Sequence, residues 1–256
     1  RTNEQVEKGL ESSPDFVELR MDVNHEIIFD EVKSALNKAG IPCTLHLPSD
    51  PNWKPVELSQ NIVPYIDLAR LIDAKLVVFH SPLSALLYND LEIDAFLQAL
   101  PLAYDTAQES GVTLAIETLG FYYTEMMLVL DEFTDLRIDL DIGHGQLLAS
   151  RNRALGHIEN YCTSIAMVNV HDNNACEAFS NILSSRDMKD FTKEELREIA
   201  VACDKHLPIG EGSIEFGPIF STLKEKNYDG RFLMLCNDPL CFEAEREKFM
   251  ELWLAS

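Results

Sequence analysis

Short apolar segments recur along the chain and alternate with longer stretches in which apolar residues return every three or four positions. The short segments are rich in Val, Ile, Leu and Phe, and this composition predicts strands. The predicted strands are Phe16–Met21, Pro42–Leu47, Lys75–His80, Val112–Thr118, Leu136–Ile142, Ile165–His171 and Arg231–Cys236.

The longer stretches have the spacing of amphipathic helices. They are Ile27–Ala39, Leu58–Ile72, Ile93–Glu109, Tyr122–Glu132, Arg153–Tyr161 and Lys193–Cys203, and a further helical stretch, Glu4–Leu10, opens the chain. Gly40 and Gly111 stand just before predicted strands and are typical of helix ends.

The alternation of strands and helices predicts parallel strands joined by right-handed crossovers. Strands such as Lys75–His80 are apolar on both faces, which indicates a sheet covered on both sides. We therefore expect residues 1–256 to form one α/β domain, a TIM (β/α)8-like barrel. A doubly wound sheet is the alternative, but no GxGxxG motif follows the early strands. Since the pattern contains seven strands, we expect the first strand of a full barrel to precede Arg1 and to be missing from this sequence; otherwise the barrel is open or irregular.

The composition narrows the class of protein. The net charge of −22 disfavours a nucleic-acid partner unless a local basic patch exists. No apolar stretch of about 18 residues occurs, so we expect no membrane span, and the first ten residues lack the apolar core of a signal peptide. The six cysteines include no CxxC pair, which argues against a disulfide framework and favours the cytoplasm.

The carboxyl ends of the predicted strands carry side chains that commonly bind metals. These residues are His46, His80, Glu117, Asp141, His144 and His171. In a parallel barrel, all carboxyl ends open on one face, so we expect these side chains to meet there. Imidazole and carboxylate groups suit a divalent cation, with Zn²⁺ or Mn²⁺ expected.

Two later segments add to this face. The DxH spacing of Asp204 and His206 places two further possible ligands on one side of an extended segment, and Glu211 follows between two glycines. The stretch Asp172–Asp190 is longer than a simple loop after a strand requires. We predict that it is a loop that covers the pocket.

The segments HLP, FHSP, AIET, DIGH, NVHDN and HLPIGEG resemble the xylose-isomerase-like barrels, and the resemblance extends over nearly all of the chain after Asp15. This superfamily includes sugar isomerases and epimerases as well as DNA-repair enzymes of the endonuclease IV type. The resemblance implies shared metal ligands at Glu117, Asp141 and His171. The endonuclease IV pattern, built around three zinc ions, also matches His46, His80, His144, Asp204 and His206.

The chain departs from the family at the last strand, where a ligand glutamate is expected and Cys236 stands instead. A Cys236 thiolate or the nearby Asp238 carboxylate could replace the glutamate, or the site could be weakened. The resemblance implies a metal-dependent sugar or sugar-phosphate isomerase or epimerase, with Glu117 as base and Glu211 or Asp238 returning the proton. An endonuclease IV-like zinc phosphodiesterase acting on abasic DNA and a non-catalytic barrel that binds a metal or ligand are the alternatives.

Overall fold

Seven strands form one parallel sheet in the computed structural model, in the same order as along the chain. The structure describes residues 2–21, 27–48, 62–149, 151–235 and 239–256. The strands are β1 (Val17–Arg20), β2 (Cys43–His46), β3 (Leu76–His80), β4 (Thr113–Glu117), β5 (Arg137–Asp141), β6 (Ile165–Val170) and β7 (Arg231–Met234). All seven predicted strands are confirmed.

Helices follow most of the strands. The α-helices are Thr2–Leu10, Phe29–Ala39, Ile62–Leu71, Asp90–Ser110, Met127–Leu130, Ala154–Tyr161, Ala175–Leu183, Lys193–Cys203, Phe216–Glu225 and Phe242–Ala255. The helix predicted over Tyr122–Glu132 is shorter, because its first turn, Tyr123–Met126, is a 3-10 helix.

The strands curve into an open, barrel-like sheet, and the TIM-barrel-like fold is confirmed. Every neighbouring pair from β1–β2 to β6–β7 is parallel. Among the described strands, β1 pairs only with β2 and β7 only with β6, so the sheet is open between them. A cavity of about 300 Å³ lies at this opening, between Phe16 and Phe232. An additional strand before Arg1 stays a prediction.

Apolar side chains pack on both faces of the sheet. The main core fills the space between the strands and the surrounding helices and includes Leu45, Val77 and Phe79. A smaller cluster inside the barrel contains Val78 and Met167. Because successive residues of a strand point to opposite faces, residues such as Val77 and Val78 serve different cores. This double burial makes the strand ends rigid supports for side chains at the barrel mouth.

Several helices begin and end at the residues that local chemistry favours. Asn89 accepts a hydrogen bond from the backbone N–H of Glu92, and the Glu92 carboxylate accepts from the N–H of Asn89. This capping box begins the helix Asp90–Ser110. The helix ends at Gly111, whose φ of 64° lies in the left-handed region that glycine adopts without strain.

The stretch Asp172–Asp190 is not the continuous loop that we predicted. It contains the helix Ala175–Leu183 and the 3-10 helix Met188–Asp190. Ala175 and Ile182 stand seven residues apart, about two helical turns, and this apolar spacing outweighs the many polar residues between them. Whether the segment covers the pocket stays a prediction.

No helix in the described ranges is both long and apolar enough to cross a membrane.

His157 makes the stability of this fold depend on pH. Its Nε2 donates to the Phe121 carbonyl at 3.1 Å, and burial lowers the pKa of His157 to about 4. Because this value lies below the unfolded value of about 6.5, protonation favours the unfolded chain. The stabilisation is complete above pH 6.5 or so and is lost as the pH falls towards about 4.

We expect the wild type to lose about 2 kcal/mol more free energy of unfolding than His157→Gln between about pH 7.5 and about pH 5. Urea denaturation at the two pH values measures this difference. Equal losses in the two proteins would show that His157 is not held neutral by its surroundings.

Candidate metal centre

Eight polar side chains meet at the carboxyl ends of the strands. The last residues of β2, β3, β4 and β5 are His46, His80, Glu117 and Asp141, and His171 directly follows β6. His144, Asp204 and His206 join them from the loops that follow β5 and the helix Lys193–Cys203. Five imidazoles and three carboxylates are therefore gathered at one mouth of the barrel.

Glu117 lies at the centre of this group. Its Oε2 atom is 2.6 Å from His46 Nε2 and 3.1 Å from His80 Nε2, and its Oε1 atom is 3.0 Å from His144 Nδ1. Burial raises the pKa of Glu117, but the three imidazoles outweigh burial and hold this pKa well below its ordinary value. Glu117 is therefore an ionised, buried carboxylate whose two oxygens face different partners.

Asp204 occupies a similar position on the other side of His144. Its Oδ2 atom lies 3.1 Å from His144 Nε2 and 3.0 Å from His206 Nε2. These imidazoles hold the pKa of Asp204 well below its ordinary value against the effect of burial. Burial lowers the pKa of His144, but Asp141 and Asp204 raise it well above 6.5. His144 therefore links two carboxylate clusters.

The ligand atoms form three overlapping groups, in each of which the atoms lie within 4.8 Å of one another. The first contains His46, His80 and Glu117. The second contains Glu117, Asp141 and His144, and the third contains His144, His171, Asp204 and His206. Because Glu117 and His144 are each shared by two groups, the arrangement has the dimensions of a site for more than one cation.

The hydrogen bonds of His46 constrain the charge that lies between its ring and the Glu117 carboxylate. Its Nδ1 atom lies 2.7 Å from the Leu47 carbonyl oxygen and must donate, because that oxygen only accepts. In a neutral imidazole the other nitrogen, Nε2, is then an acceptor, yet it lies 2.6 Å from the Glu117 carboxylate. Two acceptors at this distance require a positive charge, either a second proton on His46 or a cation shared between them.

His206 repeats this arrangement in the third group. Its Nδ1 atom donates to the Leu235 carbonyl at 2.9 Å, and its Nε2 atom faces Asp204 at 3.0 Å. The residue has a φ of 44°, an uncommon conformation for a residue other than glycine. Its ring stacks on that of His171, with ring centres 4.0 Å apart. Two hydrogen bonds and ring stacking thus hold the His206 ring in its direction.

The donors present fit a divalent cation. A metal-binding histidine commonly donates its second N–H to a backbone carbonyl, as His46 and His206 do here. Asp141 Oδ2 and Asp204 Oδ1 are buried and have no hydrogen-bond partner within the described part of the chain. Buried oxygens without partners are costly, and a cation would satisfy them. Nitrogen and oxygen donors of this kind suit Zn²⁺, Mn²⁺ or Fe²⁺.

Comparison with known proteins identifies the family. The profile of the family described as "Xylose isomerase-like TIM barrel" matches residues 8–249. The chain belongs to the xylose isomerase-like TIM barrel family. A curated relative, the uncharacterized protein MJ1614 of Methanocaldococcus jannaschii, is 26% identical over 231 residues, which are 85% of this chain and 80% of that protein.

Several solved structures share the fold at low sequence identity. A D-tagatose 3-epimerase-like protein is 20% identical with a TM-score of 0.68, covering 93% of this chain and 88% of that one. A D-allulose 3-epimerase from Methylomonas sp. in complex with D-allulose is 14% identical with a TM-score of 0.59, covering 90% and 77%. A Mycobacterium smegmatis family member in complex with magnesium is 13% identical with a TM-score of 0.64, covering 99% and 89%.

Within this xylose isomerase-like barrel, the structure brings together the eight side chains that the sequence indicated as ligands. Glu211 lies outside the three groups, and its side chain is exposed. Its catalytic role stays a prediction. Cys236 and Asp238, the two candidate replacements for the family glutamate, lie outside the described residues.

The barrel interior below the metal centre contains two polar residues that the sequence pattern did not single out, Asp139 and Asn169. Asp139 is fully buried and accepts a hydrogen bond from Asn169 at 2.9 Å. Burial, followed by the charges of Glu117 and Glu18, raises the pKa of Asp139 well above its ordinary value. The signal was present in the sequence, because Asp139 and Asp141 alternate with apolar residues and so share one face of β5.

Asp172 fixes the loop that carries His206 and Glu211. Its carboxylate accepts from the backbone N–H groups of Asn173 and Gly210 at 2.9 Å and of Ile214 at 3.1 Å. The Asp172 backbone also exchanges two hydrogen bonds of 2.8 Å with Leu207. On the other side of this loop, the buried Glu245 accepts from the N–H of Ile209.

We expect Asp172→Asn to lower the free energy of unfolding by about 2 kcal/mol, because its amide NH₂ would face a backbone N–H that needs an acceptor. Denaturant unfolding of the variant and of the exposed control Asp105→Asn measures the difference. An equal stability of the two variants would contradict the role assigned to this carboxylate.

Proposed function

We propose that this chain is a metal-dependent isomerase or epimerase of a sugar or sugar phosphate. The observation that carries the proposal is the pair of imidazoles, His46 and His206. Each donates through Nδ1 to a backbone carbonyl, and each faces a carboxylate with Nε2, at 2.6 and 3.0 Å, at the barrel mouth. A divalent cation explains both contacts. The binding of D-allulose by a structural relative supports a sugar as the substrate class.

In this proposal the ligands are drawn from the three groups, which together can hold one ion or more, and Zn²⁺ or Mn²⁺ is the expected ion. The proposed ligands are His46, His80, Glu117, Asp141, His144, His171, Asp204 and His206. When bound, the cation polarises a substrate carbonyl and so acidifies the neighbouring C–H. Cys236 and Asp238 remain candidate additional ligands.

The carboxylates provide the proton transfer. Glu117 removes the proton from the carbon next to the carbonyl and holds it on a carboxylate oxygen, leaving an enolate. Return of a proton to the same or the neighbouring carbon gives the epimer or isomer. Glu211 is the proposed donor for this return. The buried walls around Glu117 limit the access of water, which favours a charged intermediate held by fixed partners.

Hydrogen exchange with solvent tests the proposed reaction. Metal-loaded protein is incubated with D-allulose, D-tagatose or D-ribulose in D₂O, and deuterium at the carbon next to the carbonyl is measured by NMR. We expect deuterium incorporation by the wild type and none by Glu117→Gln. If the metal is bound and neither the wild type nor Glu117→Gln incorporates deuterium into any of the three sugars, the proposed isomerase is contradicted.

A zinc phosphodiesterase is the second candidate function, and the overlap of the three ligand groups favours it. Glu117 directs its two oxygens to different groups, as a carboxylate that bridges two ions would. Two ions a few ångströms apart can stabilise both the attacking and the leaving oxygens of a phosphoryl transfer. The net charge of −22 opposes a nucleic-acid substrate.

Metal counting and a hydrolysis assay separate the two functions. Two or three ions per chain together with cleavage of an abasic-site duplex would favour the phosphodiesterase, whereas one ion with hydrogen exchange would favour the isomerase. Bound metal without either reaction would favour a non-catalytic barrel.

A further inference from the structure

A second cavity, of about 400 Å³, lies between the loop after β5 and the start of the helix Phe216–Glu225. One wall comes from the loop after β5, with Gln146, Arg151 and Asn152. The other comes from the segment before the helix Phe216–Glu225, with Ser213 and Glu215. The volume is within the range of small-molecule sites, which is about 300–1,000 Å³.

Both walls belong to segments that carry residues of the metal centre. Gln146 ends the 3-10 turn that begins at His144. Ser213 donates through its backbone N–H and its hydroxyl to the carbonyl of Asn173, two residues after His171. The cavity and the metal centre therefore share supporting loops.

Arg151 supplies the positive charge of this cavity. Its guanidinium has no hydrogen-bond or ion-pair partner in any of the described ranges. The nearby Arg153 is committed elsewhere, because it donates to the carbonyls of Gly120 and Leu148 and lies over the ring of Tyr122. An unpaired guanidinium lining a cavity, in a chain of net charge −22, points to an anionic ligand.

Glu215 lines the same cavity without an ion pair to Arg151. A simple anion would be repelled by this carboxylate. A ligand that combines an anionic group with hydroxyl groups would suit both residues, because hydroxyls donate hydrogen bonds to a carboxylate. The side chain of Asn152 is already fixed, donating to the Ile142 carbonyl and accepting from the N–H of Ala154, so it stiffens the wall.

We propose that this cavity is a subsite for the anionic end of a polyhydroxylated substrate, a sugar phosphate or sugar acid, whose other end reaches the metal centre. Arg151 binds the anionic group and Glu215 binds hydroxyls. The inference rests on the proposed function, since it names the class of sugar that the metal centre would receive.

Calorimetric titration of the metal-loaded protein with D-fructose, D-fructose 6-phosphate and D-gluconate tests the subsite. We expect at least one anionic sugar to bind about tenfold or more tightly than D-fructose, which corresponds to about 1.4 kcal/mol. Arg151→Gln should remove this advantage and Arg151→Lys should keep part of it. The matched control Arg70→Gln, an exposed arginine on the helix Ile62–Leu71, should keep all of it.

Anionic groups can also bind the metal, but the metal contributes equally to the affinity of Arg151→Gln and of the wild type. The difference in affinity between the two proteins therefore reports on the subsite. A preference for D-fructose 6-phosphate identifies a phosphate site, and a preference for D-gluconate identifies a carboxylate site. No advantage in the wild type, or an advantage that survives in Arg151→Gln, would overturn the proposal. If Arg151→Gln loses the advantage and the wild type exchanges no hydrogen of D-fructose 6-phosphate with D₂O, the subsite is retained and the isomerase is rejected.

Discussion

Glu117→Gln is expected to lower the affinity for the proposed divalent metal by at least about 100-fold and to abolish the proposed hydrogen exchange. The glutamine has nearly the same shape, but its NH₂ group cannot ligate a cation, and the amide has lost the negative charge. The side chain faces three imidazoles, from His46, His80 and His144, so the substitution affects every group that shares Glu117. Elemental analysis after dialysis, followed by zinc titration against a competing chelator, measures the change.

Glu109→Gln is the matched control. It removes the same negative charge as Glu117→Gln, but Glu109 is exposed on the helix Asp90–Ser110, away from the barrel mouth. It should bind metal as the wild type does. Circular dichroism of Glu117→Gln should stay native-like, because glutamine has nearly the same shape as the glutamate that it replaces. Full metal content in Glu117→Gln would show that the cluster is a network of protonated histidines and carboxylates, and the metal-dependent proposal would then fail.

The strand pattern was strong enough to predict the sheet from the sequence. In β3, every residue from Leu76 to His80 is buried, because the barrel interior and the surrounding helices cover opposite faces. Such a strand has a continuous apolar signal that exposed polar residues do not interrupt. The positions of the carboxyl ends of the strands were predictable from the same apolar pattern, because the apolar runs stop at His80 and Glu117.

Three helices escaped prediction for identifiable reasons. In Phe216–Glu225, Gly217 and Pro218 resemble helix breakers, yet proline is tolerated in the first turn, where its missing N–H needs no partner. In Phe242–Ala255, Glu245 and Phe249 are the buried residues, so the apolar stripe is narrow and the charged residues dominate the pattern. The third, Ala175–Leu183, lies within the stretch taken for a loop.

The contacts that give the candidate metal centre its chemistry depend on positions across the barrel. His46 and Glu117 are 71 residues apart, and their 2.6 Å contact follows from the closeness of β2 and β4 at the mouth. The donation by His46 to the Leu47 carbonyl depends on the direction of one ring, which no spacing in the sequence encodes. Residue types and strand order were therefore predictable. The ring directions, which distinguish a metal-binding histidine from one in a salt bridge, were not.

Gly143→Ala is expected to destabilise the protein by about 3 kcal/mol and to impair metal binding together with the fold of the site. Gly143 has helical backbone angles, φ −64° and ψ −47°, which alanine adopts easily. The penalty is therefore steric: a Cβ at this position would overlap the imidazole of His171. The ring cannot yield without leaving its stack on His206 and its 2.9 Å contact with Asp141.

Gly9→Ala provides the opposite expectation. Gly9 lies in the helix Thr2–Leu10, and an added Cβ would have no atom within 4 Å from any other described part of the chain. This control should gain up to about 1 kcal/mol from the higher helix propensity of alanine. Denaturant unfolding gives the stability of both variants, and zinc titration gives the metal affinity. Wild-type metal affinity in Gly143→Ala would mean that the His171 ring is free to move and is not a fixed ligand, because the added methyl group leaves it no room where it now lies.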